Sequence, residues 1–143
     1  MEMIIHHLGG VKFEATSRGH SVICDQPGEN RGTDAGMTPP EFLLASLGTC
    51  AGFYAAEYLR TRGLAADGLA VRVTAEKATG PARLASFRVE VTAPNLDPQH
   101  EAGLLRAVKA CLIHNTLTHP PAIEIALETR SGAGVELHPA VVH

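Results

Sequence analysis

The sequence has 143 residues, 45% of them apolar and 19% charged, enough for one domain with a single core. Twelve Lys and Arg against 15 Asp and Glu give a net charge of −3, which argues against the basic stripe of a general nucleic-acid binder. No run reaches the roughly 18 unbroken apolar residues of a membrane span, Met1-Glu2-Met3 opens no leader peptide, and three cysteines are too few for a disulfide scaffold, so a cytoplasmic chain with reduced thiols is expected.

Met3, Ile4 and Ile5 lead through His6-His7 to a Gly9-Gly10 turn. Val11, Phe13 and Ala15 then alternate with Lys12, Glu14 and Thr16, the pattern of a half-buried strand. Arg18-Gly19-His20 marks a second turn and residues 21–24 a third strand, so an N-terminal meander is expected. Residues 25–38 are polar and Gly-rich, a loop long enough to be functional or mobile. Thr38 is a good N-cap, Pro39 suits the first helical position, and Glu41 completes a Thr-x-x-Glu capping box. Residues 42–62 follow as a helix that is apolar on nearly every side and ends at Gly63. Such a helix must be buried all round, which a short chain achieves only with a partner subunit.

Residues 70–77 and 85–91 alternate as a hairpin joined at Thr79-Gly80-Pro81. Asp97-Pro98 opens a second helix, in which Leu104, Leu105, Val108, Cys111 and Leu112 recur at helical spacing before His119-Pro120-Pro121 stops it. Ile123, Ile125 and Leu127 alternate in a final strand, and residues 131–143 read as a tail to a single α+β domain spanning 1–130.

Each predicted helix carries one interior cysteine, Cys50 and Cys111. A lone buried Cys is usually an inert packing residue. Two on apolar helix faces that must pack together bring their thiols towards disulfide range, and in a reducing compartment such a pair reads as redox chemistry. Peroxide reduction needs a thiolate, a nearby positive charge and a second thiol to condense with the sulfenic acid. Cys50 lies too far into its helix for the helix-terminus field to supply that charge, which leaves Arg18 and Arg31 as candidate cations against a reading as solvated surface charges.

The segment Gly36-Met37-Thr38-Pro39-Pro40-Glu41-Phe42-Leu43-Leu44-Ala45-Ser46-Leu47-Gly48-Thr49-Cys50 resembles the first cysteine helix of the OsmC/Ohr proteins. Lys109-Ala110-Cys111-Leu112-Ile113-His114-Asn115-Thr116-Leu117 is similar to their second cysteine motif, and Asp25-Gln26-Pro27 with Gly32-Thr33-Asp34 fits the OsmC-like branch. The resemblance covers about residues 3–129. It implies an α+β fold of antiparallel sheets wrapped around two central cysteine-bearing helices, in an intertwined homodimer. It implies reduction of organic hydroperoxides at the expense of a thiol or dithiol reductant, with no cofactor or metal. By position Cys50 matches the peroxidatic cysteine, Cys111 the resolving one, and Glu41 the carboxylate that orients a catalytic Arg. That Arg follows a Gly-Gly turn in the hydroperoxide-resistance branch; here Val11 and Lys12 follow Gly9-Gly10, and Arg18 stands in as the substitute.

Other constellations have plainer readings. Cys111-x-x-His114, with Cys24 or His119, falls short of the four-ligand spacing of a structural zinc site. His114, one turn after Cys111, is placed to tune the thiol or to bond backbone. The alternative to an enzyme is a non-catalytic protein of the same fold that holds a small apolar ligand, its cysteines serving as packing.

Overall fold

The computed structural model describes residues 1–129 and 139–140. Three antiparallel strands open the chain, β1 (Ile4–Gly9), β2 (Lys12–Ser17) and β3 (His20–Cys24). The predicted turns hold them. Gly9 and Gly10 both have positive φ, as do Arg18 (50°) and Gly19 (80°), the combination that lets a two-residue connection follow the strand twist. The register aligns Ile5 with Ala15 and Val22, and Phe13 with Cys24. One face of the meander is therefore apolar.

The loop at 25–37 is pinned, because it folds around a buried carboxylate. Asp25 is 1% exposed and accepts the Gln26 N–H (2.9 Å), the Thr33 N–H (3.0 Å) and hydroxyl (2.7 Å), and the Ala35 N–H (3.1 Å). The Ala35 N–H foremost, and then the Thr33 hydroxyl, hold its carboxyl far below the usual carboxylate range. A Cβ on Gly32 would collide with the Gln26 carbonyl, and one on Gly36 with that of Ile23, so both positions need glycine for close backbone approach.

Helix α1 (Pro39–Arg60) follows. Its first turn is fixed by Glu41, whose carboxylate accepts the Thr38 N–H (2.7 Å) and hydroxyl (2.8 Å). Its end is the predicted Gly63: at φ 65° this residue donates to the Arg60 carbonyl while Leu64 donates to that of Leu59, a Schellman closure. At 22 residues, α1 is long and apolar enough in composition to cross a membrane, yet it packs against the rest of the fold. Leu47, Ala51, Ala55, Tyr58 and Leu59 form its buried stripe. Burial all round, expected from the sequence, does not occur within one chain: Phe53 remains 62% exposed.

Strands β4 (Ala70–Thr79) and β5 (Ala82–Thr92) form a long hairpin against α1. Gly48 and Gly52 present no side chain there, so Val73 and Val71 close onto the helix. Asp97 accepts the Gln99 N–H (3.0 Å) and caps a single 3₁₀ turn that runs into α2 (Glu101–Lys109). The second helix is not continuous as the spacing suggested. It breaks at Ala110-Cys111 and restarts as α3 (Leu112–Thr118). Cys111 has an extended backbone (φ −57°, ψ 132°); its carbonyl begins the next ladder by accepting the Asn115 N–H. The core gathers Ala55, Tyr58 and Leu59 of α1 around Leu104 of α2.

The predicted final strand shrinks to β6 (Ile125–Ala126), paired with β7 (Pro139–Ala140). Among the described residues it bonds to neither of the two larger sheets. Ile123, Ile125 and Leu127 stay exposed. The rest of the predicted tail at 131–143 lies outside the described residues.

Candidate active site: a thiol pair at a helix junction

Cys50 and Cys111 come together where α1 meets the α2–α3 junction. Cys50 sits half-buried beside the apolar stripe of α1, next to Ala51. Cys111 is fully buried, at 0% exposure, because the helix break turns its short side chain inwards while Leu112 remains outside. Both thiols are free. Burial above all pushes the Cys111 thiol up, and the adjoining Cys50 thiol adds to this. The backbone N–H groups of His114 and Ile113 work against both effects.

A cavity of about 240 Å³ opens beside Cys111. Leu47 and Ala51 of α1 and Phe87 of β5 form apolar walls, and Lys109, Cys111 and His114 bring the polar groups. His114 Nδ1 is buried and has no hydrogen-bond partner among the described residues. Spacing had marked His114 as a thiol neighbour. Lys109 was missed as a site residue; the only signal for it was its place two residues before Cys111.

The expected helpers of Cys50 lie elsewhere in the chain. Glu41 is engaged by Thr38 at the start of α1, which lowers its carboxyl through the Thr38 N–H first and the hydroxyl second. Nine residues of helix separate it from Cys50, about 13 Å of axial rise. Arg18 occupies the β2–β3 turn and lines a surface groove with Met1, Glu2 and Ile4. Arg31 is exposed at the end of the 3₁₀ turn Gly28–Asn30. Neither arginine lines the cavity beside Cys111. Cys24 belongs to a different feature, an apolar groove of about 480 Å³ formed by Met3, Ile5, Phe13 and Val22 of the meander with Phe42 of α1. Among the described residues no three His, Cys, Asp or Glu side chains cluster as a metal site.

No curated protein matches the sequence. Among solved structures, the fold is similar to one from Psychrobacter arcticus assigned as an osmotic stress induced and detoxification response protein, with a TM-score of 0.73 and 20% identity over 80% of this chain and 85% of that one. An OsmC-like protein from Mycoplasma pneumoniae superposes with a TM-score of 0.68 and 22% identity over 84% and 89%. The organic hydroperoxide resistance protein OhrB of Bacillus subtilis gives 0.55 and 16% over 84% and 93%. The family model described as OsmC-like protein matches residues 32–126, the stretch that holds the end of the pinned loop, α1, the long hairpin and both cysteines of the pair, and the chain belongs to that family.

Proposed function

We infer that the protein is a thiol peroxidase that reduces organic hydroperoxides and works as a homodimer. The observation that carries this reading is the adjoining pair of free thiols, Cys50 and Cys111, beside an apolar cavity. The Cys50 thiolate attacks the distal peroxide oxygen; the O–O bond breaks, an alcohol leaves, and Cys50 becomes a sulfenic acid. Cys111 condenses with it, giving a Cys50–Cys111 disulfide and water. An external thiol or dithiol reductant restores both thiols by exchange, as a reducing compartment such as the cytoplasm allows. Among the described residues, Lys109 is the one lysine or arginine that lines the Cys111 cavity. Apolar walls favour alkyl hydroperoxides over hydrogen peroxide.

The dimer is supported by the large apolar side chains left in solvent, Phe53 on α1 and Ile4, Ile5, Leu8 and Val22 on the meander.

The test is a titration of free thiols before and after one equivalent of cumene hydroperoxide. The enzyme loses two thiols per chain, and Cys50→Ser loses none. Cys111→Ser still reacts, but it stops at a sulfenic acid that dimedone traps. A second reading, a non-catalytic carrier of a small apolar ligand, is favoured by the 480 Å³ apolar groove at Cys24. It predicts no thiol loss in any of these proteins.

A further inference from the structure

We propose that the His114 imidazole is the proton acceptor for Cys111 when the disulfide closes. This deepens the peroxidase reading and rests on it. Three observations converge. His114 lines the same small cavity as Cys111. Its Nδ1 is buried without a partner among the described residues, which is costly unless the atom has a use. The helix break places it on the first turn of α3, three residues after Cys111 at the helix start.

The chemistry calls for such a group. A fully buried thiol resists ionisation, since burial disfavours its charged form, yet only the thiolate attacks a sulfenic sulfur. With its proton on Nε2, the imidazole offers a free lone pair at Nδ1. In the step, the proton of Cys111 Sγ passes to Nδ1. The electron pair left on Sγ forms the bond to the Cys50 sulfur, and the S–O bond of the sulfenic acid breaks. Hydroxide leaves and takes up the proton held by the imidazolium, so the products are the disulfide and one water. Cys111 sulfur is oxidised by one unit and the sulfenic sulfur reduced by one; the organic hydroperoxide supplied the oxidation beforehand.

The groups that bear on His114 are few. Lys109 of α2 and Cys111 are the other titratable groups lining the cavity, while α1 and β5 turn only apolar side chains into it. Cys50 joins through Cys111.

The experiment separates the two steps in the full-length protein. After one equivalent of cumene hydroperoxide, sulfenic acid at Cys50 is followed by dimedone capture and disulfide by loss of the second thiol. His114→Gln keeps a polar side chain of similar size without a basic nitrogen, and His114→Ala leaves room for added imidazole. The expected result in both variants is disulfide closure slowed at least tenfold at pH 7 relative to sulfenic acid formation in the same variant. The deficit narrows as alkaline pH ionises the thiol directly, and free imidazole speeds His114→Ala. Unchanged closure in His114→Gln overturns the proposal. So does slow closure with the same deficit at every pH and no response to imidazole, which marks a purely structural role. Absence of any thiol loss in the unsubstituted protein overturns the peroxidase reading itself, a result distinct from the other two.

Discussion

Phe53 tests whether two chains share the free face of α1. Its side chain is 62% exposed on a helix otherwise rich in apolar residues, edge-on to Tyr54 at 5.5 Å between ring centroids. Burying a Phe side chain contributes about 1.5–3 kcal/mol. In a twofold dimer the position occurs twice, so Phe53→Glu removes about 3–6 kcal/mol before the cost of burying two carboxylates is added. At 1.4 kcal/mol per tenfold, the dimer dissociation constant rises by about 10²–10⁴. Sedimentation velocity across a micromolar dilution series reads the outcome. The unsubstituted chain should run at twice 15.1 kDa, and Phe53→Glu at the monomer mass with its helical circular dichroism retained. A monomeric unsubstituted chain, or a Phe53→Glu dimer of unchanged affinity, would refute the argument that α1 is covered by a second copy.

The remaining predictions concern stability. Leu59→Ala empties a site only 1% exposed and should cost about 2–5 kcal/mol in urea unfolding with the slope unchanged; a loss below 1 kcal/mol would show that the core at Leu104 repacks freely. Gly103→Ala should destabilise by about 1–2 kcal/mol although Ala is the better helix former. Its Cβ would fall on the Tyr58 hydroxyl, which bonds His100 Nδ1 at 3.2 Å and whose ring carries Arg62 at 3.7 Å; an equal or higher urea midpoint would contradict this. Asp25 has a folded-state carboxyl below its unfolded value, so its contribution is complete above about pH 4 and is lost as the pH falls below that. Asp25→Asn should therefore melt at lower temperature at pH 7, with the gap to the unsubstituted chain narrowing as the pH falls from 5 to 3. A gap that is constant over that range would remove the carboxylate from the explanation.

Local signals were legible where a single residue type decides the backbone. Gly9-Gly10, Arg18-Gly19 and Gly63 turned or stopped the chain where composition said they should, and Thr38 with Glu41 opened α1. Long-range consequences were harder to read. Asp25 looked like one more polar loop residue, because nothing local announces that Thr33 and Ala35 will fold back onto it. The break at Cys111 has no Gly or Pro to mark it, so helical periodicity ran straight through. Alternation at Ile123, Ile125 and Leu127 describes a strand only where a partner edge comes within reach, and no local pattern announces that. For the site, the cysteine pair was readable from two apolar helices that had to meet. Its surroundings were legible only in part: spacing marked His114, but nothing local announced that Lys109 would line the same cavity where α2 and α3 part at Cys111, and Glu41 closes the first turn of its own helix.

That parting has a mechanical side. A disulfide demands that its two backbones adjust, and the adjustment falls on whichever element yields first. Cys50 is embedded in 22 residues of helix anchored by β4 and α2, whereas Cys111 heads a seven-residue helix with no buried residue of its own. So short a helix has little stability apart from its contacts. Oxidation should therefore be felt mainly in α3, and hydrogen exchange at its amides would report the redox state of the pair while α1 stays silent.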